Sequence, residues 1–267
     1  MIDIDAMIRK EIENGYGDAN AQAKVCQDII LKAIATSELN RNVTIKGGVV
    51  MRSKTKNVRR ATQDLDLDFI RYSLSDESID RFIGRINCLE GINIVRVGKI
   101  SELKQQDYHG KRVFVRITDS KGFSIENKLD LGVHNKLEVE QDEYCFDIAY
   151  DDNGASLLIN SNEQMVAEKL KSLLRLGSLS TRYKDVFDLY YLFQHVDKEK
   201  LQMCLSIYIF EDSRMRENTM DEIYVRVEKV FLDKLYSNNL KTRNVNWLGE
   251  EVDVVQKGIL DYLKSMM

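Results

Sequence analysis

The sequence predicts an α/β (α+β) fold: a helical N-terminal segment, a mixed α/β sheet domain and a C-terminal helical bundle. Three observations predict it. Between residues 43 and 160, short runs alternate apolar β-branched residues with polar ones, the period of a strand with one buried face. From residue 162 onward the apolar residues recur at spacings of three and four, the period of a helix. The first 36 residues carry that helical period too. The chain therefore divides into an N-terminal helical segment (1–40), a sheet core (41–160) and a C-terminal helical domain (161–267).

Residues 2–13 and 19–36 read as helices, the second with Ile29, Ile30, Ala33 and Ile34 on one stripe. Val43-Thr44-Ile45 reads as a short strand ending at Gly47-Gly48, and residues 49–56 as a short helix. Residues 64–70 form an acidic strand. Ser75 caps a helix that runs to Cys88. Strands follow at Ile92–Val97, around Val113, Val115 and Ile117, from Ile125 to Val133, and at 157–160. Asn162–Gly177 and Thr181–Gln194 are helical, with stripes Val166/Leu170/Leu173/Leu174 and Val186/Leu189/Tyr190/Phe193. The rest reads as further helices, including 220–236 and 250–265.

Composition narrows the function classes. With 43% hydrophobic and 31% charged residues, the 267-residue chain has the make-up of an ordinary soluble domain. A net charge of -4 and a pI near 5.6 argue against a protein that coats nucleic acid, though not against a local basic groove. Cys26, Cys88, Cys145 and Cys204 form no CxxC pair, so they are expected to be reduced, buried thiols. The N-terminal MIDIDAMIRKEIENG lacks the apolar core of a signal peptide, and no apolar run reaches the ~20 residues that span a membrane. A cytoplasmic location without membrane contact is the expectation. There is no proline in the chain, a fact with no functional account.

The stretch with the most chemistry is Lys46-Gly47-Gly48 followed by Asp64-Leu65-Asp66-Leu67-Asp68. Alternate strand residues share a face, so Asp64, Asp66 and Asp68 project together, opposite Leu65, Leu67 and Phe69. Three like charges on one face repel unless a cation neutralises them, and a hard ion such as Mg²⁺ prefers carboxylate oxygen. Read alone, the same alternation also describes the solvent face of a half-buried strand. The Gly-Gly turn leading into a helix offers backbone N–H groups to phosphate. Basic residues Arg52, Lys54, Lys56, Arg59 and Arg60 lie between the two and suit a polyphosphate or an RNA backbone, or are simply loop charge.

Asp130 sits on a strand opposite Leu129, Leu131 and Val133, with Glu126 on its own face. A third carboxylate would complete a metal cage and serve as general base; an exposed strand residue looks the same in sequence. Asp185 and Asp188 share a helix face, and in a helical hairpin Lys169 would pair with either of them. That is a packing salt bridge, or a lysine held so that it reaches triphosphate oxygens. His109, His134 and His195 have no ligand spacing and are read as non-catalytic. Trp247 and Tyr183, Tyr190 and Tyr191 read as core or interface, with weak grounds for base stacking by Tyr183.

The ordered set Lys46-Gly47-Gly48, Arg60-Ala-Thr62-Gln-Asp64-Leu-Asp66, Ala167-Glu168-Lys169 and Arg182-Tyr-Lys184-Asp185-Val-Phe-Asp188-Leu resembles the AbiEii/AbiGii nucleotidyltransferase toxins, over roughly residues 25–195. The resemblance implies a DNA polymerase β-like nucleotidyltransferase core with a helical domain. It implies Mg²⁺-dependent transfer of a nucleoside monophosphate from an NTP, for some members to the 3′ end of tRNA, within a toxin–antitoxin or phage-defence system. A cognate antitoxin protein is the implied partner. Asp64, Asp66 and Asp130 become the metal carboxylates, and Lys169, Asp185 and Asp188 join them as catalytic residues. Lys46, Gly47, Gly48, Arg52 and Lys169 become nucleotide contacts. Two departures stand out: Gly48 replaces a common serine, and Asp68 makes Asp66/Asp68 an alternative metal pair. Transfer to a protein or small molecule, or nucleotide binding without turnover, remain rival readings.

Overall fold

The strand positions that alternate apolar with polar residues form one sheet. A computed structural model, which describes residues 2–103 and 110–267, divides the chain into two units, Met1–Asn160 and Ser161–Met267. The first unit begins with α1 (Ile4–Glu13) and α2 (Asp18–Thr36), so the N-terminal helices belong to it. It continues with β1 (Val43–Lys46), α3 (Gly48–Thr55), β2 (Leu65–Phe69), α4 (Asp76–Ile86), β3 (Ile92–Leu103), β4 (Gly110–Asp119), β5 (Ser124–Val133), β6 (Asp142–Phe146) and β7 (Ala155–Ile159).

These strands form a seven-stranded mixed sheet in the order β3-β4-β5-β2-β1-β7-β6. The β2–β5 and β1–β7 pairs are parallel and the others antiparallel. One face is apolar. Val43, Ile45, Leu65, Leu67, Phe69, Leu129 and Leu131 are fully buried there. Helix α2 packs against β5 and β7 with Cys26, Ile29, Ile30 and Ala33 buried, and α4 sets Phe82 edge-on to Phe69 with ring centroids 5.0 Å apart. The opposite face carries the charged residues. Ser75 caps α4 as its sequence predicts, accepting from the Ser78 N–H.

The second unit contains α5 (Asn162–Leu176), α6 (Lys184–Leu192), α7 (Lys198–Leu205), α8 (Met220–Phe231), α9 (Lys234–Leu240) and α10 (Val252–Lys264). Val166, Leu170, Leu173 and Leu174 of α5 and Val186 and Leu189 of α6 are buried, as their spacing requires. The result is an α+β architecture consistent with a nucleotidyltransferase fold. Among the described residues no helix is long and apolar enough to cross a membrane.

Several boundaries differ from the sequence reading. β3 continues to Leu103 because its pairing with β4 resumes after an irregularity between Val97 and Ser101. β6 was not expected: Asp142-Glu-Tyr-Cys-Phe is a short acidic edge strand, the kind that charge protects from further pairing. The single helix expected over 220–236 is two, because Asp233 caps α9 by accepting from the Tyr236 N–H. Only Cys26 and Cys204 are buried; Cys88 and Cys145 are exposed, and all four are free thiols. Burial pushes the Cys204 thiol up to about 12. His109 lies outside the described residues.

Candidate active site

The charged face of the sheet is built by register. Asp66 of β2 stands level with Lys46 of β1 on one side and Asp130 of β5 on the other. Asp130 in turn stands level with Arg112 of β4. Side chains in register point to one face, so Arg112, Asp130, Asp66 and Lys46 form a row across four strands. The rows above and below differ. Leu65 pairs with Leu129, so Asp64 comes beside Lys128, whose Nζ lies 2.8 Å from Asp64 Oδ1. Asp68 stands opposite Gly132, which presents no side chain. Among the three acidic positions, only Asp66 therefore faces a second carboxylate across the β2–β5 register.

Each neighbouring charge has a partner. Asp68 is buried and lies 2.7 Å from Lys46 Nζ. Asp130 is buried and accepts from Arg112 Nε and Nη2, both at 2.7 Å, a two-pronged clamp. The hydrogen bond to Asp130 pushes the Arg112 guanidinium above its ordinary value. Asp66 is half-buried between these two pairs.

The Gly-Gly turn is fitted to this face. Gly47 has φ +70°, a left-handed conformation, and a Cβ there would sit 2.5 Å from Asp66 Oδ2. Gly47 also precedes α3 without a side-chain cap, so the first-turn N–H groups of α3 open beside the carboxylate row. The serine that Gly48 replaces has no room here: a Cβ would lie 2.7 Å from Thr62 Oγ1 and 2.8 Å from Thr62 Cβ. Gly47→Ala is expected to cost at least about 1 kcal/mol of stability, from the left-handed backbone and the contact with Asp66. Urea unfolding checks this, and an unchanged midpoint would contradict the placement of the turn.

Two expectations need correction. Arg52, expected as a nucleotide contact, is turned into the interior of the fold. It is 5% exposed, its Nη2 lies 3.1 Å from Asp28 Oδ1, and its Nη1 donates to Gln27. The first turn of α3 is buried nearly all round, at Val49, Val50, Met51 and Arg52. Arg60 is buried as well, which leaves Lys54, Lys56 and Arg59 as the outward part of the basic segment.

The second acidic motif lies in the second unit. Lys169 Nζ sits 2.6 Å from Asp185 Oδ1 and 2.8 Å from Asp188 Oδ2. Asp188 is fully buried and its Oδ1 accepts from Trp247 Nε1 at 3.0 Å. Arg182 Nε approaches Asp185 at 3.3 Å. Both sequence candidates thus share the lysine, and Trp247 is a core residue with a polar task. His134 is buried with its ring 3.5 Å from Gln141, and His195 stacks on Tyr191. The residue that sequence reading missed is Arg112. Its signal was present: it extends the Phe114/Arg116/Thr118 alternation by one step, onto the face of Asp130.

Among the described residues no three His, Cys, Asp or Glu side chains gather closely enough to cage an ion. Mg²⁺ does not need such a cage, since it is usually held by one or two carboxylates with water and phosphate oxygens completing the shell. Asp66 and Asp130 side by side fit that requirement, with Asp64 one register step away. No curated protein matches the chain. The family model described as nucleotidyl transferase AbiEii toxin, type IV toxin–antitoxin system, matches residues 29–248, covering both the carboxylate row and the lysine cluster. The chain therefore belongs to the AbiEii nucleotidyl transferase toxin family of type IV toxin–antitoxin systems.

Proposed function

We propose that this toxin uses Mg²⁺ to transfer a nucleoside monophosphate from an NTP to an acceptor hydroxyl, with the 3′ end of tRNA as the acceptor. The observation that carries the reading is the level pairing of Asp66 with Asp130 beside the Gly47–Gly48 turn. Two level carboxylates are the oxygen donors that a hard divalent cation prefers, and the adjoining turn offers N–H groups to phosphate.

Asp66 and Asp130, with Asp64, would hold Mg²⁺, which when bound offsets triphosphate charge and polarises the reacting phosphorus centre. The turn and the first N–H groups of α3 receive phosphate oxygens. Asp130 takes the proton of the acceptor hydroxyl once the Arg112 clamp opens, since both carboxylate oxygens are otherwise occupied. The freed guanidinium then faces phosphate charge. The hydroxyl oxygen bonds to the α-phosphorus, the bond to the β-phosphate breaks, and pyrophosphate leaves with that electron pair. Within the second unit, Asp185 and Asp188 hold the Lys169 ammonium as a fixed positive charge of the kind that suits phosphate oxygens. Phe114, 43% exposed on the face of Arg112, supports a nucleic-acid end as acceptor, since an unstacked base finds a flat partner there. A cognate antitoxin is the partner that such a system implies.

The test is incubation of the purified protein with Mg²⁺, each α-labelled NTP and total bacterial RNA, with Asp64→Ala/Asp66→Ala as control. Label in a tRNA-sized band, absent from the control, is expected. Label only in protein or a small molecule would overturn the acceptor, and label nowhere would overturn the transferase reading.

A further inference from the structure

Helix α2 is an apolar element, yet Gln27 and Asp28 are fully buried in its middle. A buried primary amide is costly unless its donors and acceptor are used. Those of Gln27 are used, and all on the candidate site. Its Nε2 donates to the carbonyl oxygens of Thr62 (3.1 Å) and Asp64 (3.2 Å). Its Oε1 accepts from Arg52 Nη1. Arg52 is held in turn by Asp28, which also accepts from Lys24 (2.6 Å) and from the Ala149 N–H (2.9 Å).

The geometry has a specific consequence. Thr62–Asp64 is the approach to β2, before ladder pairing begins at Leu65. The chain bends at Gln63, and one amide holding the carbonyls on both sides of that bend fixes how the segment enters β2. That hold sets where the Asp64 carboxylate points and where the chain enters the ladder that aims Asp66. It also seats Thr62 against Gly48, where a Cβ would have no room. Arg52 belongs to α3, the helix that the Gly-Gly turn opens. Its bond to Oε1 sets the orientation of the amide, so that Nε2 and not Oε1 faces the two carbonyls.

We propose that Gln27 is a positioning residue for the transfer reaction, with Arg52 as its anchor: together they set the acidic segment against the phosphate-binding turn. The proposal rests on the transferase reading above. It gives Arg52 a task inside the fold in place of the nucleotide contact that its sequence neighbourhood implies.

The test uses the full chain with Gln27→Met, which keeps the volume and removes the polar atoms. Gln27→Glu keeps the acceptor for Arg52 but turns oxygen toward two carbonyls. Ile30→Val in the same helix serves as a packing control. Amide exchange without nucleotide is expected to quicken at least tenfold in a peptide spanning 61–67 for both Gln27 variants, with 110–133 unchanged. In the transfer assay kcat is expected to fall about tenfold to a hundredfold while KM for the NTP moves less than threefold, because misplacement by a fraction of an ångström acts on the chemical step. Ile30→Val should leave both readouts as in the wild type. Unchanged exchange at 61–67, or an equal loss of kcat in Ile30→Val, would overturn the proposal. Failure of the wild-type chain to transfer at all would overturn the transferase reading instead, and the exchange arm would still decide whether Gln27 sets this segment.

Discussion

Asp66→Asn is expected to lower nucleotidyl transfer by at least about a hundredfold without unfolding the protein. The substitution keeps the shape and removes the charge at the one position of β2 that faces another carboxylate in register. Stability should change little, because asparagine keeps the shape of a side chain that is only half-buried. The contrast is Asp68→Asn. Asp68 is buried against Lys46, so its loss acts first on the fold, with a lowered urea midpoint and transfer within tenfold of wild type. Measuring transfer and unfolding for both variants decides which pair holds the metal. Transfer lost in Asp68→Asn and kept in Asp66→Asn would move the metal site to the buried carboxylate. The register argues the other way, since Asp68 stands opposite Gly132, where Asp66 stands opposite Asp130.

Much of this face was legible in the sequence because alternation in a strand is a local property. Asp66, Asp68 and Asp130 needed only the period of two to be placed opposite the leucines. What alternation does not give is register. Nothing local says that Asp66 comes level with Asp130 while Asp64 comes level with Lys128, because β2 and β5 pair in parallel across more than fifty intervening residues. Register is also what makes Arg112 the partner of Asp130: alternation alone puts Arg112 on a face but not beside that carboxylate. Arg52 was misread for a related reason: in a short helix after a Gly-Gly turn, a basic residue looks solvent-facing until its buried partners on α2 are known. Conversely, Gly48 in place of serine looked like a missing hydroxyl. The structure shows a steric cause, since Thr62 fills the space a side chain would need. The Lys169 pairing was legible as a choice between two aspartates. The sharing of one lysine by both, and the hold of Trp247 on the second, required the packed helices.

That shared cluster gives the second large effect. Asp188→Ala is expected to destabilise the second unit by about 3–5 kcal/mol, the usual cost of removing one partner from a buried ion pair. Asp188 has no exposed surface, and its two oxygens serve Lys169 and Trp247 Nε1. Alanine removes both bonds and opens a cavity beside a lysine side chain that is only 10% exposed. Asp188→Asn keeps an acceptor for the indole and loses only the charge, so its cost should fall to about 1–3 kcal/mol. Trp247 is the chain's single tryptophan and lies in this unit, so its fluorescence during urea unfolding reports on the cluster directly. A midpoint for Asp188→Ala equal to wild type would show that the carboxylate is not an anchor. Lys169 and Arg182 balance Asp185 and Asp188, so the amine is fixed in place without leaving net charge in the helical core. If Asp188→Asn keeps its fold and still loses transfer, the direction in which Lys169 is held matters to the reaction, over and above the stability it confers.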